Sequence, residues 1–160
     1  KEPSLDDPKE ISQVDTLVVK LEDGARDSEA LLCDPVSKNL YIVSKREKNV
    51  RLYEITSTFQ SDTLIGKRIF KFPFNYITGG DISPDGKEVL LKNYEKIFYW
   101  KKTGNETLVE LLRQPPVELA YQREPQGEGI GWSIDGSGFY TMSENAKGER
   151  ARLYYYKRKK

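Results

Sequence analysis

Three carboxylates draw attention by where they stand: Glu29, Asp81 and Glu128. Glu29 and Glu128 each lie six residues before a matching turn position, Pro35 and Ile134, and so occupy equivalent places. The intervening copy has Thr78 at that place and Asp81 three residues later. Clustered carboxylates suit calcium, a hard cation that takes carboxylate and carbonyl oxygens. They suit equally a structural role, accepting hydrogen bonds from backbone N–H groups of a neighbouring repeat or pairing with Lys45 and Lys92. Acid–base hydrolysis by two carboxylates needs a set separation and shifted pKa values, and neither is written in a sequence. Histidine is absent. That excludes Ser-His-Asp and Cys-His catalysis, histidine metal sites and histidine pH switches. Cys33 is the single cysteine, so no intrachain disulfide forms, and within an apolar strand it reads as a small core residue. No catalytic residue set emerges.

Other stretches are weaker pointers. Gly79-Gly80 and residues 127–131 are glycine-rich, but no helix with a P-loop lysine follows either one, and close approach of strands explains them. Phe98-Tyr99-Trp100 and Tyr154-Tyr155-Tyr156 alternate between two faces, as packing between sheets or a platform for carbohydrate or peptide requires. Asn105-Glu106-Thr107 fits a glycosylation acceptor, and Lys157 to Lys160 is a basic end. Lys and Arg number 26 against 25 Asp and Glu, a net charge of +1. Such a balance implies no pull toward nucleic acid or a membrane surface. No apolar run reaches membrane-spanning length. The chain begins at Lys1, without a signal peptide, and is expected to be a processed or trimmed product.

The elements that carry these residues are organised around Asp81-Ile82-Ser83-Pro84-Asp85-Gly86-Lys87. Pro84 presets one corner of a turn, Asp85 tolerates the next, and Gly86 takes the left-handed conformation without steric cost. Val89-Leu90-Leu91 then reads as a strand buried on both faces. The same grammar recurs around Asp34-Pro35 and around Ser133-Ile134-Asp135-Gly136, at offsets of 49 and 50. The first copy lacks the glycine and the third lacks the proline. Repeats of this length with four short strands each are propeller blades.

The fold class is therefore all-β, a β-propeller of three four-stranded blades, with units near residues 27–72, 77–112 and 127–158. Residues 1–13 are a charged lead-in, and 14–160 form a single propeller half-domain. In the second unit the outer strand is expected around Leu108 to Leu112, and residues 118–126 have no assigned element. The third unit lacks an outer strand, while Val14 to Leu21 is a spare one. Three blades are too few to close a ring. The chain is thus expected to be a half-propeller that pairs with a second copy or a related half, each lending its N-terminal strand, or else a fragment of a longer chain.

Ile82-Ser83-Pro84-Asp85-Gly86-Lys87 resembles the Ser-Pro-Asp-Gly-Lys signature of Tol-type periplasmic propellers. Asp27-Ser28-Glu29-Ala30-Leu31, with Asp34-Pro35, Leu40-Tyr41-Ile42-Val43 and Lys45, resembles the blades of phytase-like propellers, and Gly127-Glu128-Gly129-Ile130 repeats that feature. The resemblance spans residues 14–158 and implies a secreted or periplasmic protein. Motifs of this kind specify fold far better than activity. The first functional expectation is a non-enzymatic module presenting loops and the channel mouth to a protein or glycan, with calcium as the candidate ion. The alternatives are a calcium-dependent phosphoesterase of the phytase-like type, with Glu29, Asp81 and Glu128 as ligands, and a structural subunit of a larger assembly.

Overall fold

A computed structural model describes residues 16–56, 63–145, 148 and 150–159. The expected lead-in over residues 1–13 lies outside them. The described residues form three sheets. The first contains β1 (Val18–Leu21), β2 (Ser28–Cys33), β3 (Leu40–Ser44), β4 (Arg51–Ile55) and β5 (Thr63–Lys71), in the order β1-β5-β4-β3-β2. The second contains β6 (Gly79–Ile82), β7 (Glu88–Lys92), β8 (Ile97–Lys101) and, after the helix α1 (Leu108–Leu112), β9 (Val117–Leu119). The third is β10 (Gly127–Trp132), β11 (Gly138–Ser143) and β12 (Leu153–Lys157). β2 packs beside β6, and β6 beside β10, so the first strands of the three sheets form an inner row. This is an all-β partial propeller of three blades. Among the described residues no helix is long and apolar enough to cross a membrane.

The three turns between first and second strands are one device with different residues. The backbone N–H of Asp34, Ser83 and Ser133 bonds the carbonyl of Asn39, Glu88 and Gly138 respectively, closing loops of equal length. Gly86 (φ +70°) and Gly136 (φ +66°) take the left-handed corner. The first copy lacks that glycine, and Lys38 (φ +64°), one place later, takes the strained conformation instead. The Asp34 carboxylate holds this turn by accepting from Val36 N–H and the Ser37 hydroxyl.

Packing between blades supplies the core. Ala30, Leu32, Tyr41 and Val43 of blade 1 meet Ile82, Val89 and Leu91 of blade 2. The connector from β5 to β6 crosses this junction, with Phe74 stacked on Phe98 at a centroid distance of 4.0 Å. Leu90 and Ile97 on the other face of blade 2 meet Ile130, Trp132 and Phe139 of blade 3. Every residue of β7 is buried, as its run of successive apolar residues predicts.

Three expectations are corrected. Leu108 to Leu112 is a helix, not the outer strand of blade 2. Thr107 and Glu110 form a reciprocal capping box, and Leu108, Leu111 and Leu112 bury one helical face. The outer strand is β9, just after Pro115-Pro116, paired antiparallel with β8. The N-terminal strand, expected as a spare for another blade, instead pairs parallel with β5, Val18 to Leu21 against Thr63 to Gly66. β5 is long, and its register with β4 runs only from Lys67 to Lys71, which leaves those backbone groups for β1. Cys33 is exposed and not in the core, because the alternation along β2 turns Leu31 and Cys33 away from blade 2.

Candidate functional site

The start of each first strand and the end of each second strand meet at the same end of the partial ring, here called the channel mouth. Register makes the positions equivalent: Ala30 pairs with Val43, Gly79 with Lys92, and Gly129 with Met142. One residue further along the second strands, Ser44, Asn93 and Ser143 close the following loop in the same way. Their side-chain oxygens accept from Arg51, Lys96 and Arg152 N–H at 2.9, 2.7 and 3.1 Å. The next residues, Lys45, Tyr94 and Glu144, stand at equivalent places; Lys45 bonds Glu29, and Tyr94 and Glu144 both reach Glu128.

These side chains form a chain of contacts across the blades. Lys45 Nζ donates to both oxygens of Glu29 at 2.6 Å and lies 3.6 Å from Glu128 Oε1. It also sits 5.3 Å from the centre of the Tyr94 ring, whose hydroxyl donates to Glu128 Oε1 at 2.6 Å. Burial works against the Lys45 charge, but the hydrogen bonds to Glu29 and Tyr94 and the Glu29 charge outweigh it and hold its pKa above the ordinary lysine value. The hydrogen bond from Tyr94 is the main cause of a lowered pKa at Glu128, with the Lys45 charge adding to it.

Asp81 stands apart. Its Oδ2 accepts from Trp132 N–H at 2.7 Å and its Oδ1 from Ile82 N–H at 2.8 Å, so it ties blade 2 to the backbone of blade 3. Burial nevertheless raises its pKa, with the two N–H groups offsetting part of that cost. Trp132 lies four residues beyond Glu128 on β10, roughly 13 Å along the strand. Glu29 and Glu128 therefore share one lysine, and Asp81 does not join them. As folded, Glu29 and Glu128 are held by Lys45 and Tyr94, and Asp81 by backbone N–H groups. Among the described residues no group of three or more His, Cys, Asp or Glu converges as a metal site does.

Beneath the mouth lies a pair that the sequence reading did not identify. Lys92 is fully buried; it donates to the carbonyl oxygen of Gly127 and lies 3.7 Å from Glu124 Oε2 and 5.0 Å from the Tyr121 ring centre. Burial lowers its pKa, and Glu124 partly restores it. Glu124 Oε1 accepts from the Thr141 hydroxyl at 2.6 Å, while Oε2 has no hydrogen-bond donor. Glu124 comes from the crossing segment that had no assigned element. The available signal was Lys92 itself, a charge closing an otherwise apolar strand. Glu124 also lines an open cavity of about 560 Å³ with Tyr94, Arg123, Arg152 and Tyr154. Arg123 there pairs with Glu95 at 2.8 Å, and Arg152 bonds the Tyr154 hydroxyl at 3.1 Å.

No family model and no curated protein matches the chain. Solved structures do match in fold. Hydrazine synthase from Kuenenia stuttgartiensis superposes with a TM-score of 0.57 over 81% of this chain and 34% of that one, at 16% identity. TolB from Acinetobacter baumannii gives 0.54 over 82% of this chain and 30% of that one, at 19% identity. A chain of a nidogen/laminin complex gives 0.52 over 80% and 48%, at 13% identity. The chain thus spans about a third to a half of these structures, and the likeness is one of β-propeller fold.

Proposed function

We propose that the chain is a β-propeller binding module, not a catalyst, whose channel mouth takes a polar ligand, a glycan in the first instance. The observation that carries this reading is the cavity bordered by Tyr94, Tyr154, Arg123 and Arg152 beside the Lys45 network. At about 560 Å³ it falls within the range of small-ligand sites, roughly 300–1,000 Å³. Tyrosine rings offer sugars an apolar face and a hydroxyl, and guanidinium groups offer forked donors to carboxylate or hydroxyl oxygens. The charged groups of the mouth are held by one another. A secreted or periplasmic location would bring such a surface to glycans outside the cytoplasm.

The test is an oligosaccharide array probed with the labelled chain, with a peptide array beside it. The expected result is binding to a defined set of sugars that Tyr154→Ala and Arg123→Ala each weaken about tenfold or more, as loss of roughly 1.4 kcal/mol requires. Folded chain that captures nothing on the sugar array refutes the glycan reading; selective peptide capture would replace it with a protein ligand. Repeating the array with calcium at about 1 mM, the weak end of extracellular sites, shows whether Glu29 and Glu128 ever leave Lys45 for an ion.

A further inference from the structure

Another open cavity lies at the end of the partial ring opposite the mouth, where the β2–β3 turn of blade 1 meets the β6–β7 turn of blade 2. Its volume is about 570 Å³, within the small-ligand range. The blade 1 turn closes one side by packing on Gly86, where an added Cβ would come within 2.8 Å of Val36 Cγ2. Tyr41 of blade 1, with Leu108 and Val109 of α1, supplies apolar wall. The two blades that build the cavity each have four strands or more among the described residues.

The carboxylates that border it are not alike. Asp34 is engaged by Val36 N–H and the Ser37 hydroxyl, Asp85 by the Ser83 hydroxyl and Lys87 N–H, and Glu106 by Thr103 and Gly104. Glu54 differs. Its Oε1 accepts from the Tyr41 hydroxyl at 2.7 Å and from Asn39 Nδ2 at 3.0 Å, which fixes the group, while Oε2 has no donor among the described residues. Burial, with the bond to Glu54 adding to it, raises the Tyr41 pKa, so the phenol stays the donor. The blade 2 wall is basic. Lys102 N–H bonds the Lys87 carbonyl at 2.9 Å and continues the Glu88–Lys101 register, so the two lysines stand directly opposite on adjacent chain segments. Like charges so placed repel. Neither ammonium group has an ion pair among the described residues.

We propose that this cavity binds a free α-amino acid with an apolar side chain. The ligand carboxylate pairs with Lys87 and Lys102, its ammonium donates to Glu54 Oε2, and its side chain lies against Tyr41, Leu108 and Val109. A simple anion would satisfy the lysines and leave Glu54 unused, and a simple cation would do the reverse. A ligand that carries both charges and an apolar group meets every wall. The site is separate from the channel mouth and does not rest on the reading given to it.

Isothermal titration with L-valine, L-leucine and L-phenylalanine tests it, followed by the amide and N-acetyl forms of the tightest of them, with acetate and inorganic phosphate alongside. The expected result is saturable binding of at least one amino acid, with its amide and its N-acetyl form each at least about tenfold weaker. Lys102→Met is expected to abolish the preference for the acid over the amide. Glu54→Gln keeps an acceptor for Tyr41 and Asn39, and is expected to abolish the preference for the free amine over the N-acetyl form. Circular dichroism should be unchanged in both. Absence of binding by all three amino acids overturns the proposal. So do equal affinities for the amino acid, its amide and its N-acetyl form, or acetate or phosphate binding as tightly, which would mark an anion site only. The ligand series on the unaltered chain decides the matter even where a variant fails to fold.

Discussion

Lys92 shows how a single buried charge is kept. Removing it as Lys92→Met leaves Glu124 buried and unpaired, and loss of one partner of such a pair costs about 3–5 kcal/mol. Replacing both, Lys92→Met with Glu124→Met, is expected to recover most of that loss, because the pair's attraction only roughly offsets its desolvation. Urea unfolding of the two singles and the double checks this; equal losses in all three would show that the residues do not act as a pair. At the mouth, Glu128 has its pKa lowered below 4.5, chiefly by the Tyr94 hydroxyl. Its contribution to stability is therefore complete above that value and lost as pH falls through the lower folded pKa. Tyr94→Phe should move the Glu128 carboxyl titration, followed by NMR, back toward 4.5 and shift the start of acid unfolding to higher pH.

At the level of elements, equivalent turns solve one steric problem unequally. The left-handed corner costs a residue with a Cβ about 1–2 kcal/mol, which Gly86 and Gly136 avoid and Lys38 does not. Lys38→Gly is expected to stabilise the chain by up to about 1 kcal/mol, because the relieved strain exceeds the loosened unfolded chain. Gly86→Ala is expected to destabilise it by about 1–2 kcal/mol, and its Cβ would also meet Val36 Cγ2 at 2.8 Å. Thermal unfolding reads both, and opposite signs are the expectation. These turns were legible in the sequence because their chemistry is local: Ser83-Pro84-Asp85-Gly86 contains nearly everything that shapes it. The segment Leu108 to Leu112 is ambiguous in the sequence, because two adjacent leucines suit either a strand or one face of a helix. The deciding contacts are between Thr107 and Glu110, a spacing that also satisfies a turn.

Across the whole molecule, burial predicts a gradient of opening. β7 is buried throughout between β6 and β8, whereas β12 alternates between exposed and half-buried residues at a sheet edge. Amide exchange should be slowest at Val89 to Leu91 and much faster at Leu153 to Lys157, since local opening follows burial and edge position. Protection of β12 equal to that of β7 at high protein concentration would mean that its blade is covered. The all-β class and the turn positions could be read from the sequence because spacing and turn chemistry act within a few residues. Equivalence of Glu29 and Glu128 was legible for the same reason. What they touch was not: Lys45 reaches both from another strand and, for Glu128, from another blade, while Asp81 turns to a backbone N–H fifty-one residues away. The pairing of β1 with β5, the Lys92–Glu124 pair and the outward turn of Cys33 likewise depend on which surfaces lie beside each other in space. Local stereochemistry is encoded residue by residue; the partners of a charge or an edge are settled only when the sheets stack.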